Sequence, residues 1–163
     1  MVRIAMSHVH TRTCHCGNLR LVFSTGKETK DLFFRECQCS YCTPQGAIYC
    51  TDAEGSLEIH LDRNGDVGRY SFALRTAEFL FCKTCGCYLC AVQEKEGKTK
   101  AVINARYFPT LLPTVLKAAD NIRSVNFDGE SAEARTARHD KNWTPAEVIN
   151  GRSSENSPEF KKS

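Results

Sequence analysis

The chain has no long apolar run. Stretches such as residues 79–82 are only a few residues long in a chain of 163, and a membrane-spanning helix needs about twenty. Leucine, isoleucine, valine and phenylalanine together supply only 35 residues. That is near the lower limit for a globular core, and a core this thin usually needs added staples. Residues 1–13 contain no apolar segment of the signal-peptide kind, and no prenylation, retrieval or peroxisomal signal closes the chain. These absences lead us to expect a cytoplasmic protein with no membrane partner.

Charge of one sign is also missing. The formal net charge is +3, too weak to argue for nucleic acid by itself. No basic stripe with interleaved aromatics is present, so nucleic acid is not expected as a partner. The one basic cluster, residues 135–141, reads as a solvated helix face. The five histidines, His8, His10, His15, His60 and His139, lack metal-ligand spacing. There is no internal repeat.

Cysteine, by contrast, is abundant: ten residues, nine of them in three clusters. Cys14 and Cys16 read C-x-C. Cys37, Cys39 and Cys42 read C-x-C-x-x-C. Cys82, Cys85, Cys87 and Cys90 read C-x-x-C-x-C-x-x-C. A disulfide framework suits a secreted chain, which nothing here suggests. Metal is the better reading, and all-thiolate sites select zinc or iron–sulfur clusters. The familiar ferredoxin spacings are absent, which favours zinc. Cys82 and Cys85 before Gly86 form half a knuckle, which Cys14 and Cys16 before Gly17 can complete. Cys37, Cys39 and Cys42 then remain, and three protein ligands is the number for an open, catalytic zinc site. Spacing alone leaves room for Cys87 or Cys90 to enter a site.

The rest of the chain reads as short strands. Leu19, Leu21 and Phe23 alternate with polar residues, as do Leu57, Ile59 and Leu61. Further strands are expected over 32–37, 47–50, 67–74, 77–82, 88–93, 101–105 and 124–127. Asn64-Gly65 reads as a hairpin turn. Two helices are expected: a short one within 109–120, with Pro113 in its first turn, and one over 131–139. Residues 1–12 read as a disordered N-terminus, 13–148 as the zinc domain, and 149–163 as a disordered polar tail.

In order and spacing, Cys14-x-Cys16-Gly17, Cys37-x-Cys39-x-x-Cys42 and Cys82-x-x-Cys85-Gly86 resemble the glutathione-dependent formaldehyde-activating (GFA) family, which also contains centromere protein V. The segment 69–82, Phe127-Asp-Gly-Glu130 and Trp143-Thr-Pro145 resemble a subgroup of it. The likeness spans residues 13–145 and departs from the family at Cys50, Cys87 and Cys90. Cys50 and Cys90 read as small buried side chains. The resemblance implies a mainly β, β-tent zinc-binding fold of short antiparallel sheets with little helix. It implies a structural zinc on Cys14, Cys16, Cys82 and Cys85, and a labile, catalytic zinc on Cys37, Cys39 and Cys42. It also implies a carbon–sulfur lyase acting on adducts such as S-hydroxymethylglutathione, with glutathione as co-substrate. Arg75 and Thr76 are candidates for holding a glutathione carboxylate, Gln45 and Gly46 for lining the mouth of the open site, and Asn104 for a ligand contact. The competing expectation is a non-catalytic zinc module that binds a protein partner, with a closed middle site and an exposed apolar patch.

Overall fold

The first strand of this computed structural model, β1 (His8–Thr13), lies antiparallel on β2 (Leu19–Thr25); residues 7–117 and 122–151 are described. Residues 8–12 were expected to be frayed. They are held because every residue from His8 to Thr13 has a partner in β2. Strand β3 (Phe33–Cys37) delivers Cys37, and helix α1 (Cys42–Gln45) follows it. Strands β4 (Tyr49–Thr51) and β5 (Ser56–Leu61) come next.

Asn64-Gly65 does not close a hairpin. Residues Asn64–Asp66 form a single 3-10 turn, and β6 (Val67–Tyr70) leaves β5 to pair with β7 (Glu78–Cys82). The two edges of β5 are instead taken by β2 and the last strand. The long strands β8 (Tyr88–Lys95) and β9 (Lys98–Asn104) form a true hairpin around Glu96-Gly97, both of which have positive φ. Helix α2 (Leu112–Lys117) has Pro113 in its first turn and buries Val115 while Leu116 faces solvent. Residues 118–120 of that expected helix lie outside the described residues. Strand β10 (Arg123–Val125) is followed by α3 (Ala132–Asn142), which Ser131 caps by accepting from the Ala134 N–H. Strand β11 (Thr144–Asn150) ends the described chain. Residues 149 and 150, expected in a polar tail, belong to it because they pair with His60 and Leu61. Residues 152–163 lie outside the described residues.

The protein is mainly β, with one mixed sheet. Two pairings are parallel, β10 with β3 and β11 with β5, where antiparallel sheets were expected. Strand β9 organises the rest. Along one edge it pairs with β8 over its whole length. Its other edge is divided: residues 99–101 pair with β11, and Ile103 and Asn104 with β4. Among the described residues, no helix is long and apolar enough to cross a membrane.

Strand alternation sorts side chains into two cores. Leu80, Val92, Ala101, Ile103 and Cys50 join the larger cluster, which also holds Cys14 and Cys82. Tyr49, Ala91, Val102 and Trp143 form a smaller one with Cys42 on the opposite face. Gly68 is a close approach in this arrangement: the Phe81 ring of the paired strand occupies the space a Cβ would need. Overpacking of this kind costs about 1–3 kcal/mol. Gly68→Ala should therefore lower Tm by several degrees, which thermal melting of the zinc-loaded protein will show.

Candidate metal centres

All ten cysteines are free thiols. Seven of them form two groups. The Sγ atoms of Cys14, Cys16, Cys82 and Cys85 lie within 4.8 Å of one another, as do those of Cys37, Cys39 and Cys42. In the first group Cys16 Sγ lies 3.7 Å from Cys14 Sγ and 3.4 Å from Cys82 Sγ. Tetrahedral zinc with Zn–S bonds of about 2.3 Å separates its sulfurs by about 3.8 Å, whereas a disulfide is about 2.05 Å long. The donor set and spacing therefore fit zinc.

Two tight turns build the four-cysteine group. The Gly17 N–H donates to the Cys14 carbonyl and the Gly86 N–H to the Cys82 carbonyl, at 3.0 and 2.8 Å. Both glycines are left-handed, at φ 85° and 75°, a conformation that a Cβ penalises. The turn explains His15. It is exposed, at the tip of the turn between the two cysteines. The Leu19 N–H donates to Cys14 Sγ at 3.3 Å. Burial works to raise the Cys85 thiol, but backbone hydrogen bonds from Cys87 and Cys16 outweigh it and bring it to about 6. A thiol held that low is a ready metal ligand at neutral pH.

Cys87 stands outside this group; its carbonyl accepts from the Cys82 N–H. Cys50 and Cys90 are fully buried beside Ile103, and burial pushes both thiols up to about 12. They are apolar core residues, as the sequence suggested.

The three-cysteine group is local. Cys37 ends β3, Cys39 lies in the bend after it, and Cys42 opens α1. The Thr43 N–H donates to the Cys39 carbonyl and the Cys42 N–H to Cys39 Sγ, which folds the segment around its sulfurs. A hydrogen bond with Cys42, opposed by burial, brings the Cys37 thiol down to about 6, and the same bond pushes Cys42 up. Tyr49 Oη lies 3.1 Å from Cys42 Sγ and 2.7 Å from Tyr88 Oη, so the deepest sulfur ends a buried hydroxyl chain.

This second group opens on a cavity. Cys37, Cys39 and Cys42 all line a space of about 520 Å³, and none of the four-cysteine ligands lines that space. One wall is the segment 72–77, with Ala73 and Arg75 in left-handed conformations at φ 52° and 54°. Non-glycine residues there store backbone strain, a feature that clusters at functional sites. Tyr41 packs at the edge of this wall, with ring centroids 5.4 Å from Phe72 and 4.6 Å from Phe79. The opposite wall carries Phe127, Glu130 and the α3 residues Arg135, Arg138 and His139, with Trp143.

That second wall overturns one expectation. The basic cluster 135–141 is not simply a solvated face. Arg138 makes a two-pronged ion pair with Glu130, at 2.9 Å from each guanidinium nitrogen, and lies 3.5 Å over the Phe127 ring. His139 is 4 % exposed and stacks on Trp143 with centroids 3.8 Å apart. Its Nδ1 lies 2.8 Å from Gln93 Oε1, and Gln93 Nε2 donates to Asp140 Oδ1. The amide oxygen can only accept, so His139 Nδ1 carries the proton and Nε2 keeps a free lone pair. Sequence spacing missed His139 because its neighbours in the site are distant in the chain. The signal available was that residues 135, 138 and 139 share a helix face.

The other candidates are placed as follows. Thr76 lines the cavity; Arg75, Gln45, Gly46 and Asn104 are not among its lining residues. Arg75 and Gln45 are exposed, and the Gly46 carbonyl accepts from Arg106 Nε. Asn104 is buried and spends its amide on the Ile48 N–H, the Arg106 N–H and the Tyr88 carbonyl. It is a structural clamp between β4 and β8.

No protein-family model and no curated protein matches the chain. Among solved structures, a crystal structure of a Rhodobacter sphaeroides protein is similar at 25 % identity and a TM-score of 0.51, over 71 % of this chain and 99 % of that one. The two share a fold over that span.

Two predictions follow from the geometry. Cys42→Ser should leave one tightly held zinc per chain and a folded protein, whereas Cys14→Ser should lose the structural ion and unfold at a much lower temperature; elemental analysis and melting of both variants check this. His139 is held neutral by burial and by Arg138, its pKa brought from 6.5 to about 3. Between those values the unfolded chain binds a proton that the fold refuses, so His139 withdraws stability as pH falls through that window and not above it. His139→Gln should lose less Tm than the wild type between pH 7 and pH 5.

Proposed function

We propose that the protein is a zinc-dependent carbon–sulfur lyase acting on adducts of glutathione or a related thiol, such as S-hydroxymethylglutathione. One observation carries the reading: all three members of the three-cysteine group line one large cavity, which the four-cysteine group does not line. The spacing that resembles the GFA family points the same way. Zinc at Cys37, Cys39 and Cys42 would supply a fourth position for sulfur and lower a thiol's pKa.

The chain's own residues supply the rest. Tyr49 hydrogen-bonds Cys42 and orients it, as outer partners of ligands commonly do. Phe72, Phe79 and Trp143 make the walls around the cysteines apolar and limit water there. Cleavage of the adduct breaks its C–S bond with both electrons going to sulfur, while the hydroxyl oxygen gives up its proton and becomes the carbonyl oxygen of formaldehyde. His139 lines the cavity as a neutral imidazole, so its Nε2 would accept a hydrogen bond from the adduct's hydroxyl while the proton passes to water. In the reverse direction water returns it to the alkoxide. A reducing, cytoplasmic setting would keep the free cysteines available.

Native mass spectrometry of the zinc-loaded protein with glutathione is the direct test. We expect a glutathione adduct that disappears in Cys39→Ser. Release of formaldehyde from S-hydroxymethylglutathione should fall by about tenfold in His139→Gln with binding retained. Two bound zinc ions with no thiol adduct would favour a non-catalytic protein-interaction module instead.

A further inference from the structure

We propose that Arg35 is the anchor of a carboxylate subsite in this cavity, so that the thiol ligand of the three-cysteine group carries a carboxylate a few carbons from its sulfur. The inference rests on the thiol-binding reading above and adds to it the chemistry of the ligand's other end.

Arg35 is 9 % exposed and lines the cavity. Among the described residues it has no ion-pair partner; its one side-chain hydrogen bond is from Nη1 to Thr51 Oγ1, at 3.3 Å. A guanidinium offers five N–H donors in a planar fork that matches a carboxylate. Among the described residues the Nε and Nη2 atoms of Arg35 have no hydrogen-bond partner and are not sealed from solvent, and Arg35 lines the cavity. An almost buried arginine with free N–H groups beside a cavity is an incomplete ion pair, because buried charges are ordinarily paired.

The surrounding charges leave that vacancy unfilled. Glu130 is bound to both Arg135 and Arg138. Asp128 lines the rim but is exposed. The three thiolates with a divalent ion carry one net negative charge, but no N–H of Arg35 donates to a cysteine sulfur, so that charge attracts without pairing. Arg35 and Cys37 are two apart on β3, share a face and both line the cavity, so one small ligand can meet the cysteines with its sulfur and the guanidinium with its carboxylate.

The test uses three small probes on the zinc-loaded protein. These are 3-mercaptopropionate (thiol and carboxylate), 2-mercaptoethanol (thiol only) and 3-(methylthio)propionate (carboxylate without a free thiol). Trp143 is the chain's single tryptophan and lines the cavity, so its fluorescence reports occupancy. We expect 3-mercaptopropionate to bind about tenfold or more tightly than 2-mercaptoethanol, as one charge-assisted pair warrants. The thioether acid should bind saturably. Arg35→Met should weaken both acids about tenfold or more, with zinc content and 2-mercaptoethanol affinity unchanged. Arg35→Lys should recover part of the loss, and it serves if the methionine variant does not fold.

Equal affinity for the two thiols, together with no binding of the thioether acid, would overturn the subsite and leave the thiol reading standing. Binding of the thioether acid as tight as that of 3-mercaptopropionate, with no binding of 2-mercaptoethanol, would keep the subsite and remove the thiol reading. Loss of zinc or of 2-mercaptoethanol binding in both arginine variants would make Arg35 a structural support of the cysteines and overturn the proposal.

Discussion

The period of two along β8 and β9 is the constraint on which the rest of the structure depends. Consecutive side chains of a strand face opposite ways, so a strand buried on both faces must serve two cores at once. Val102 joins the smaller core while Ala101 and Ile103 on either side join the larger. The same division places Tyr49 with Cys42 and sends Cys50, its neighbour, to the main core. A slip of one residue in the β8–β9 register would exchange the two sets. The structural cysteines would then lose their core, and the three-cysteine group its tyrosine. The separation of a closed metal site from an open one is therefore a consequence of strand register as much as of cysteine spacing.

The two cysteine groups differ in how the chain assembles them. The four-cysteine group joins turns 66 residues apart in sequence, as measured between Cys16 and Cys82. Closing so long a loop restricts the unfolded chain strongly, which is why a metal there acts as a staple for a thin core. The three-cysteine group lies within one short segment, from Cys37 to Cys42. It closes almost no loop, so an ion there contributes little to holding strands together. Its segment is free to sit at a cavity, where a ligand can reach it. Stability and reactivity are thus divided between the sites by the topology of their ligands.

Much of this was legible in the sequence. Cysteine spacing suggested the same two groups that the structure brings together while leaving Cys87 and Cys90 open, because cysteines two or three apart in tight turns carry their geometry with them. The strands with clean alternation, β2 and β5, were equally plain. What failed was pairing. Asn64-Gly65 has the residues of a hairpin turn, but β6 finds its partner in β7, because the hairpin signal reports a local bend and not where the next strand docks. Residues 8–12 and 149–150 read as polar ends, since a strand whose partner is far away shows little in its own composition. The site residues were harder still. Arg75 and Gln45 sit close in sequence to the right elements yet face solvent, whereas Arg35 and His139 were passed over. Arg35 precedes a ligand on the same strand face, a relation visible in the sequence. The role of His139 depends on Gln93 and Trp143, which no local pattern connects to it.

The cavity also shows how the fold reconciles buried charge with a neutral imidazole. Helix α3 presents Arg135, Arg138 and His139 on one face, and three such neighbours would all be cationic in water below pH 6. Inside the cavity wall only the arginines keep their charge, since Glu130 answers them and Phe127 stacks beneath Arg138. The same guanidinium that is stabilised by Glu130 helps hold His139 neutral. The ion pair and the imidazole are therefore parts of one arrangement. Because Glu130 is committed to that arrangement, it is not available to Arg35 on the facing strand, which has no ion-pair partner among the described residues.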